Sequence, residues 1–472
     1  MKKIAVVMVL ALLGFIGDIW AEAKTETKAE VAKKADEMKF KFGSSLRLRH
    51  EYWKNWRDED SDQHDDRNFF RIKSSVWGQL DVNPDLLFYM KLTNEFKAYT
   101  MFEGASSGTP DKSASKKGYH FDINEIVFDN LYTDIKNFVG LPIDWRLGRQ
   151  DFLGTYGEGF LIMDGTPQDG SRTFYFNAAK ASWRVNDKNT LDFIYINDPR
   201  DDEFLPAINR LELTKISNPN DDKVPQNLNT TDEQAYVLYL KNKNIKDLGL
   251  EGYYIFKKEA EEGGTGMQSK ETRLSTLGSY AKYDLNPWTL RGQFAGQFGE
   301  YGEKGRLGYG GYGFVDRVFK DVRWSPKASA GYIYLSGDDL TTARNEAWDP
   351  LFSRWPWMSE LYILSMAGDS NVGILGYWTN LSMWRTEFSF KPTGKTKVTL
   401  WYNYLKSNHV APGNTICSGT GRDRGHLPQF RVDYAWTKNV SMYFLAEYLL
   451  PGDFYVSSDE AWFLRSEMQL KF

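Results

Sequence analysis

Along the last nine residues of the chain, apolar Leu464, Met468, Leu470 and Phe472 alternate with Arg465, Glu467, Gln469 and Lys471, and Ser466 sits among the apolar set. A period of two is the signature of a strand with two unlike faces. The pattern recurs in Leu46-Arg47-Leu48-Arg49-His50-Glu51-Tyr52 and throughout the chain. It predicts strands near 44–53, 69–80, 86–97, 123–132, 144–150, 174–185, 190–197, 234–241 and 248–257. Further strands are predicted near 273–283, 289–298, 309–318, 328–336, 379–390, 397–406, 429–436, 440–449 and 461–472. Their number, roughly 18, is even, as in single-chain bacterial barrels.

The connections alternate in length. Asp81-Val82-Asn83-Pro84-Asp85, Asn186-Asp187-Lys188-Asn189, Asp284-Leu285-Asn286-Pro287, Lys391-Pro392-Thr393-Gly394 and Thr437-Lys438-Asn439 are short and built from turn-forming residues. Between them lie long connections, including 54–68, 98–122, 198–233, 337–378 and 406–428. Short turns on one rim and long loops on the other predict an all-β fold: one transmembrane antiparallel barrel, with periplasmic turns and extracellular loops.

Energetics assign the faces. An Arg at the bilayer midplane costs about 2–4 kcal/mol, so strand cations must look into the lumen. This places Arg47, Arg49, Arg71, Lys73, Lys91, Lys180, Arg184, Arg291, Arg385, Arg431 and Arg465 inside, with the carboxylates Glu95, Asp192, Glu387, Asp433 and Glu447. Leu46, Leu48, Phe70, Ile72, Phe193, Trp384, Phe430 and Phe444 then face lipid. The lumen residues form a candidate solute path, electropositive on balance. The simpler account is that lumen Arg and Glu pair across strands as a polar filling.

The ends and composition fit this class. Lys2 and Lys3, the apolar run Ile4–Ile16 and Ala21-Glu22-Ala23 read as a signal peptide over 1–23. Residues 24–39 read as a polar periplasmic tether and 40–472 as the barrel. Tyr, Trp and Phe make up 15% of residues, yet mean hydropathy is −0.54, as expected for a wall with one wet face. Net charge is −4, which gives nucleic-acid binding no support. The single Cys417 points to neither disulfides nor a metal site. No cofactor is expected.

Several stretches, in order, resemble the alginate-export family of outer-membrane barrels: Leu147-Gly148-Arg149-Gln150-Asp151, Tyr156-Gly157-Glu158-Gly159, Leu161-Ile162-Met163-Asp164, Gly331-Tyr332-Ile333-Tyr334-Leu335-Ser336-Gly337-Asp338-Asp339 and Trp348-Asp349-Pro350-Leu351-Phe352. Asn380-Leu381 and the Lys391-Pro392 turn follow, while Asp151 and Gly165-Thr166-Pro167 depart from the family pattern. The resemblance implies an 18-stranded monomeric barrel in the outer membrane of a Gram-negative cell, with an Arg-lined conduit for an anionic polysaccharide such as alginate. It also implies partners: periplasmic secretion components and an inner-membrane polymerase. Arg149 and Asp164 match the family's Gly-Arg-Gln and downstream Asp and join the candidate path on that ground.

Three functions follow as expectations. The first is a passive conduit for an anionic polysaccharide, in which loose, multiple Arg–carboxylate contacts keep the polymer moving. A second is a porin-like uptake channel for small anionic solutes, narrowed by long loops such as 198–233 or 337–378 folding inward. A barrel enzyme, the third, would need a His paired with a carboxylate or Ser. His50 falls on an outer strand face, and His64, His120, His409 and His426 fall in loops, none in a catalytic motif. The chain is therefore read as a non-enzyme. Other expected partners are outer-membrane lipid, lipopolysaccharide and the barrel-assembly machinery. Acidic loop 58–66 reads as solvated or bridged to lipopolysaccharide through divalent ions. Trp355, Trp357, Tyr362 and Tyr377 could stack on sugars, but read rather as the packing of the 337–378 connection.

Overall fold

A computed structural model describes residues 38–56, 60–62, 66–99, 121–163, 175–200, 204–205, 231–260, 271–353, 357–361, 379–413 and 416–472. Within them, eighteen strands form one antiparallel sheet. They are β1 (Lys39–Lys54), β2 (Arg67–Asn83), β3 (Leu86–Tyr99), β4 (Phe121–Ile135), β5 (Ile143–Gln150), β6 (Phe176–Asn186), β7 (Asn189–Asp198), β8 (Glu233–Asn242) and β9 (Leu248–Glu259). The second half comprises β10 (Thr272–Leu285), β11 (Trp288–Tyr301), β12 (Lys304–Val318), β13 (Lys327–Leu335), β14 (Leu381–Thr393), β15 (Thr396–Lys406), β16 (Asp423–Ala435), β17 (Val440–Leu449) and β18 (Ala461–Lys471).

Each strand pairs with its sequence neighbours, and β1 pairs with β18, so the sheet closes and no edge remains. Closure is what permits a sheet in lipid, where an unpaired N–H or C=O finds no water. The seam is made twice. Phe472 N donates to Ser44 O at 2.8 Å and Ser44 N returns a bond to Phe472 O at 3.1 Å. Higher up, Arg49 stands opposite Glu467 and Glu51 opposite Arg465.

Alternation sets the two faces. Val76, Met90, Phe193, Leu277, Phe294 and Phe388 stand exposed on the outer wall, while Lys91, Asp192 and Thr276, next to Met90, Phe193 and Leu277, point inward. His426, expected in a loop, lies instead in β16, where its Nδ1 meets the Tyr402 hydroxyl on the outer face at 2.7 Å. The length alternation of the connections has one exception: β11 and β12 are joined on the long-loop rim by Gly302 and Glu303 alone. β1 begins at Lys39, five residues before the predicted strand.

The core lies inside the tube. Residues 151–163, which leave β5, and residues 345–353 fold inward from the long-loop rim. Phe152, Tyr156, Phe160, Ile162, Trp348, Leu351 and Phe352 are buried against lumen residues of the wall, among them Phe176, Tyr239, Ile255 and Tyr312. This apolar filling stands on the side of β5–β13 and leaves the lumen open along β14–β18 and β1–β3.

Candidate functional site: a basic cavity beside an aromatic plug

The plug is fastened through its polar atoms. Tyr156 donates to Asp192 at 2.8 Å, and Gly157 N donates to Glu251 at 2.9 Å. Glu158 pairs with Arg291, which is also held by Asp316 at 2.8 Å. Gln297 exchanges two bonds with the backbone of Asp349, at 2.7 and 2.8 Å. Phe352 N reaches Ile162 O at 3.1 Å, so the two inward segments also hold one another. Buried polar atoms that lack a partner are costly, and here the wall's carboxylates and amides supply those partners.

The Leu147-Gly148-Arg149-Gln150 stretch has a structural part in this. Gly148 holds φ at +117°, and a Cβ there would lie 2.3 Å from Leu131 O, so the position accepts only glycine. Gln150 turns back to donate to Ala178 O at 3.0 Å and Gly148 O at 3.2 Å. Together they end β5 and aim the chain into the lumen.

Beside the plug lies a cavity of about 940 Å³, running from the short-turn rim at Lys395 and Lys471 to a roof made by Leu153 and Trp357–Glu360. Its lining carries Arg47, Arg49, Lys73, Lys91, Arg385, Lys391, Lys395, Lys397, Arg431, Arg465 and Lys471 against Glu360, Asp433, Glu447 and Glu467. Eleven cations against four anions line the space, although the whole chain is slightly acidic. Glu95, Glu51 and Asp129 stand behind Arg47, Arg465 and Lys91, so the excess is positive but smaller than the lining count.

Much of that charge is arranged in pairs, as the simpler account of the lumen had it. Arg47 and Arg71 share Glu95, at 2.5 and 2.7 Å. Arg49 pairs with Glu467, Arg465 reaches Glu51 at 2.7 Å, and Arg431 reaches Asp433 at 2.6 Å. Arg385 differs. Its Nη1 donates to two amide oxygens, Asn403 at 2.6 Å and Gln429 at 3.1 Å, and its guanidinium stands 5.3 Å from the centre of the Trp401 ring. Its contacts are thus neutral, and the nearest carboxylates, Glu387 and Glu447, act on its charge from beyond ion-pair distance.

The other candidate path residues are placed as follows. Lys73 lines the cavity, while Asp192 and Arg291 hold the plug. Lys180 lies beneath the plug, 5.7 Å from the Tyr156 ring. Arg184 sits on the short-turn rim with Asp144 and Asn137. Arg149 shares the strand face of exposed Leu147, opposite Arg146 and Gln150. Buried there, it donates to Asn177 at 3.0 Å and Phe128 O at 3.1 Å and stacks on Tyr175, so it fastens wall strands and stands away from the cavity. Asp164, Trp355, Tyr362, Tyr377 and most of acidic loop 58–66 lie outside the described residues. Trp357 packs against the core, 6.3 Å from the Phe160 ring.

Sequence reasoning passed over Arg146, which faces inward, is held by Asp134 at 2.6 Å and lies over Tyr132. Its alternation with Leu147 was the available signal. Lys391, Lys395 and Lys397 were missed as well, because they flank a turn and not a long alternating run.

A family model described as "Alginate export" matches residues 38–463. No curated protein sequence matches the chain. Among solved structures the fold is similar to Acinetobacter baumannii OccAB4, at 10% identity, TM-score 0.53, 93% of this chain and 99% of that one. It is also similar to A. baumannii OccAB3, at 12% identity, TM-score 0.53, 91% and 99%. The outer membrane protein opdK of Pseudomonas aeruginosa is a third, at 10% identity, TM-score 0.51, 92% and 99%. At these identities the likeness is one of fold.

Proposed function

The chain belongs to the alginate-export family, an outer-membrane β-barrel by its fold, and from this we propose that it is a passive conduit for anionic solutes, with an acidic polysaccharide of the alginate kind as its cargo. The observation that carries the reading is the cavity lining, eleven Lys and Arg against four Asp and Glu in a water-accessible tube. A lumen with an excess of one sign between low-dielectric walls concentrates counter-ions. Pairing of most guanidiniums with carboxylates keeps each contact weak, which suits a solute that must keep moving. Arg385 is the exception, and guanidinium matches carboxylate geometry with two parallel donors.

The plug favours a second reading, uptake of small anionic solutes. The aromatic filling on the β5–β13 side confines the path to one side of the lumen, and a narrow path admits a single sugar acid as readily as one extended polymer chain. Direction of transport separates the two readings, and cell-based assays of polymer release against solute uptake report it.

Reconstituted protein in planar bilayers tests the common core. The expected result is anion preference, reduced or reversed by Arg385→Glu and left in place by Arg149→Gln. Cation preference in the unmodified protein would overturn the proposal.

A further inference from the structure

Glu447 is a buried carboxylate on the inward face of β17, and it stands at the roof of a cavity rich in guanidinium groups. Its hydrogen-bond donors are nevertheless those of the inward turn. Ser359 Oγ donates to it at 2.5 Å, Glu360 N at 3.0 Å and Leu361 N at 3.2 Å. Burying a carboxylate is costly unless such donors satisfy it, and a wall position facing water has no need of one. Two neighbouring strands grip the same turn: Gln429 of β16 donates to Met358 O at 2.9 Å, and Arg465 of β18 reaches Glu360 at 2.7 Å. Trp357 then abuts Phe160 of the plug, so the roof spans from the wall to the aromatic filling.

We infer that Glu447 is a positioning residue for the conduit: by binding the amide and hydroxyl donors of Ser359–Leu361 it fixes the turn that roofs the cavity, and so sets which solutes pass by size. The turn also delivers Glu360, a carboxylate, into the basic cavity, and its place there depends on the same grip. Glu447 acts through the turn and touches no solute. The inference rests on the conduit reading given above.

Single-channel recording with graded neutral polyethylene glycols tests it, alongside anion-to-cation permeability. In Glu447→Ala the conductance rises about twofold and larger polymers enter, because pore width governs both. Glu447→Gln, which keeps an acceptor oxygen, falls between Ala and the unmodified protein. Asp433→Asn, which removes a cavity carboxylate away from the turn, shifts ion preference and leaves the polymer cutoff unchanged. The triple variant Ser359→Ala/Glu360→Pro/Leu361→Pro removes all three donors to Glu447, leaves the wall intact and reproduces the wider cutoff, which covers the case of a Glu447→Ala barrel that fails to assemble. A conducting triple variant with the unmodified cutoff overturns the positioning role alone. Absence of conductance in the unmodified protein overturns the conduit reading, and this one with it.

Discussion

Lys257 of β9 reaches across the lumen wall to the carbonyl oxygen of Leu351, 94 residues further on, at 2.7 Å. The same ammonium is buried between Glu233, at 3.1 Å, and Glu259, and lies 4.6 Å from the centre of the Phe352 ring. One side chain thus bridges two wall carboxylates, offsetting one of their two charges, and holds the inward segment 345–353. Removing one partner of a buried ion pair costs about 3–5 kcal/mol, because the others keep their desolvation cost. Lys257→Met should therefore lower barrel stability by that order, and a triple variant with Glu233→Gln and Glu259→Gln should recover much of it. Urea titration of tryptophan fluorescence in lipid vesicles checks both, and equal losses in the single and triple variants would refute the account.

The plug also depends on a missing side chain. Gly310 of β12 faces the lumen, and a Cβ there would lie 2.6 Å from the Trp348 ring, which is buried to 1% exposure. Gly310→Val should expel that ring from its slot, at a cost of about 1–3 kcal/mol for overpacking. Trp348→Ala should cost about 3–5 kcal/mol through the cavity it leaves. Acrylamide quenching reports the first: Gly310→Val exposes one more tryptophan than the parent, and unchanged quenching would show that the ring has another place to go.

These inward segments mark where the sequence stopped being legible. The wall could be read because period-two alternation combined with the cost of charge in lipid leaves one choice of face. Arg47, Arg71, Arg291 and Arg431 follow that rule. Tyr156-Gly157-Glu158-Gly159 and Trp348-Asp349-Pro350 carry no period, so nothing in them separates a surface loop from one that enters the tube. Of their fastening points, Asp192 reads as lumen polarity, and only the fold shows what it, Glu251 and Gln297 hold. Arg149 illustrates the opposite failure. A family motif drew it into the path, whereas its own alternation with Leu147 sets it on the other face.

Glu95 is the carboxylate that Arg47 and Arg71 share. Glu95→Gln leaves the side-chain volume and removes one negative charge beside the conduit. At about 10 Å and an effective dielectric between about 20 and 80, a unit charge contributes about 0.4–1.7 kcal/mol. The anion-to-cation permeability ratio should rise by about two- to seventeenfold at low salt and converge toward the parent at about 1 M salt, where screening is short-ranged. Reversal-potential measurements in asymmetric chloride read the ratio. A fall in the ratio would mean that the freed guanidiniums turn away from the path.

The assignment of faces can be tested by moving the same charge to both of them. Leu277 stands on the outer face of β10, 61% exposed, and Gln469 on β18 lines the cavity. Leu277→Arg should cost about 2–4 kcal/mol in vesicles, depending on its depth, because the guanidinium enters hydrocarbon. Gln469→Arg meets water and should stay within about 1 kcal/mol of the parent, the repulsion from Arg47 opposite it included. Both sites belong to long strands paired on either side, so they differ in solvent and in the like charge of Arg47 opposite Gln469. If the cost at Gln469 equalled that at Leu277, the lumen would be dry, and a dry lumen admits no ionic solute.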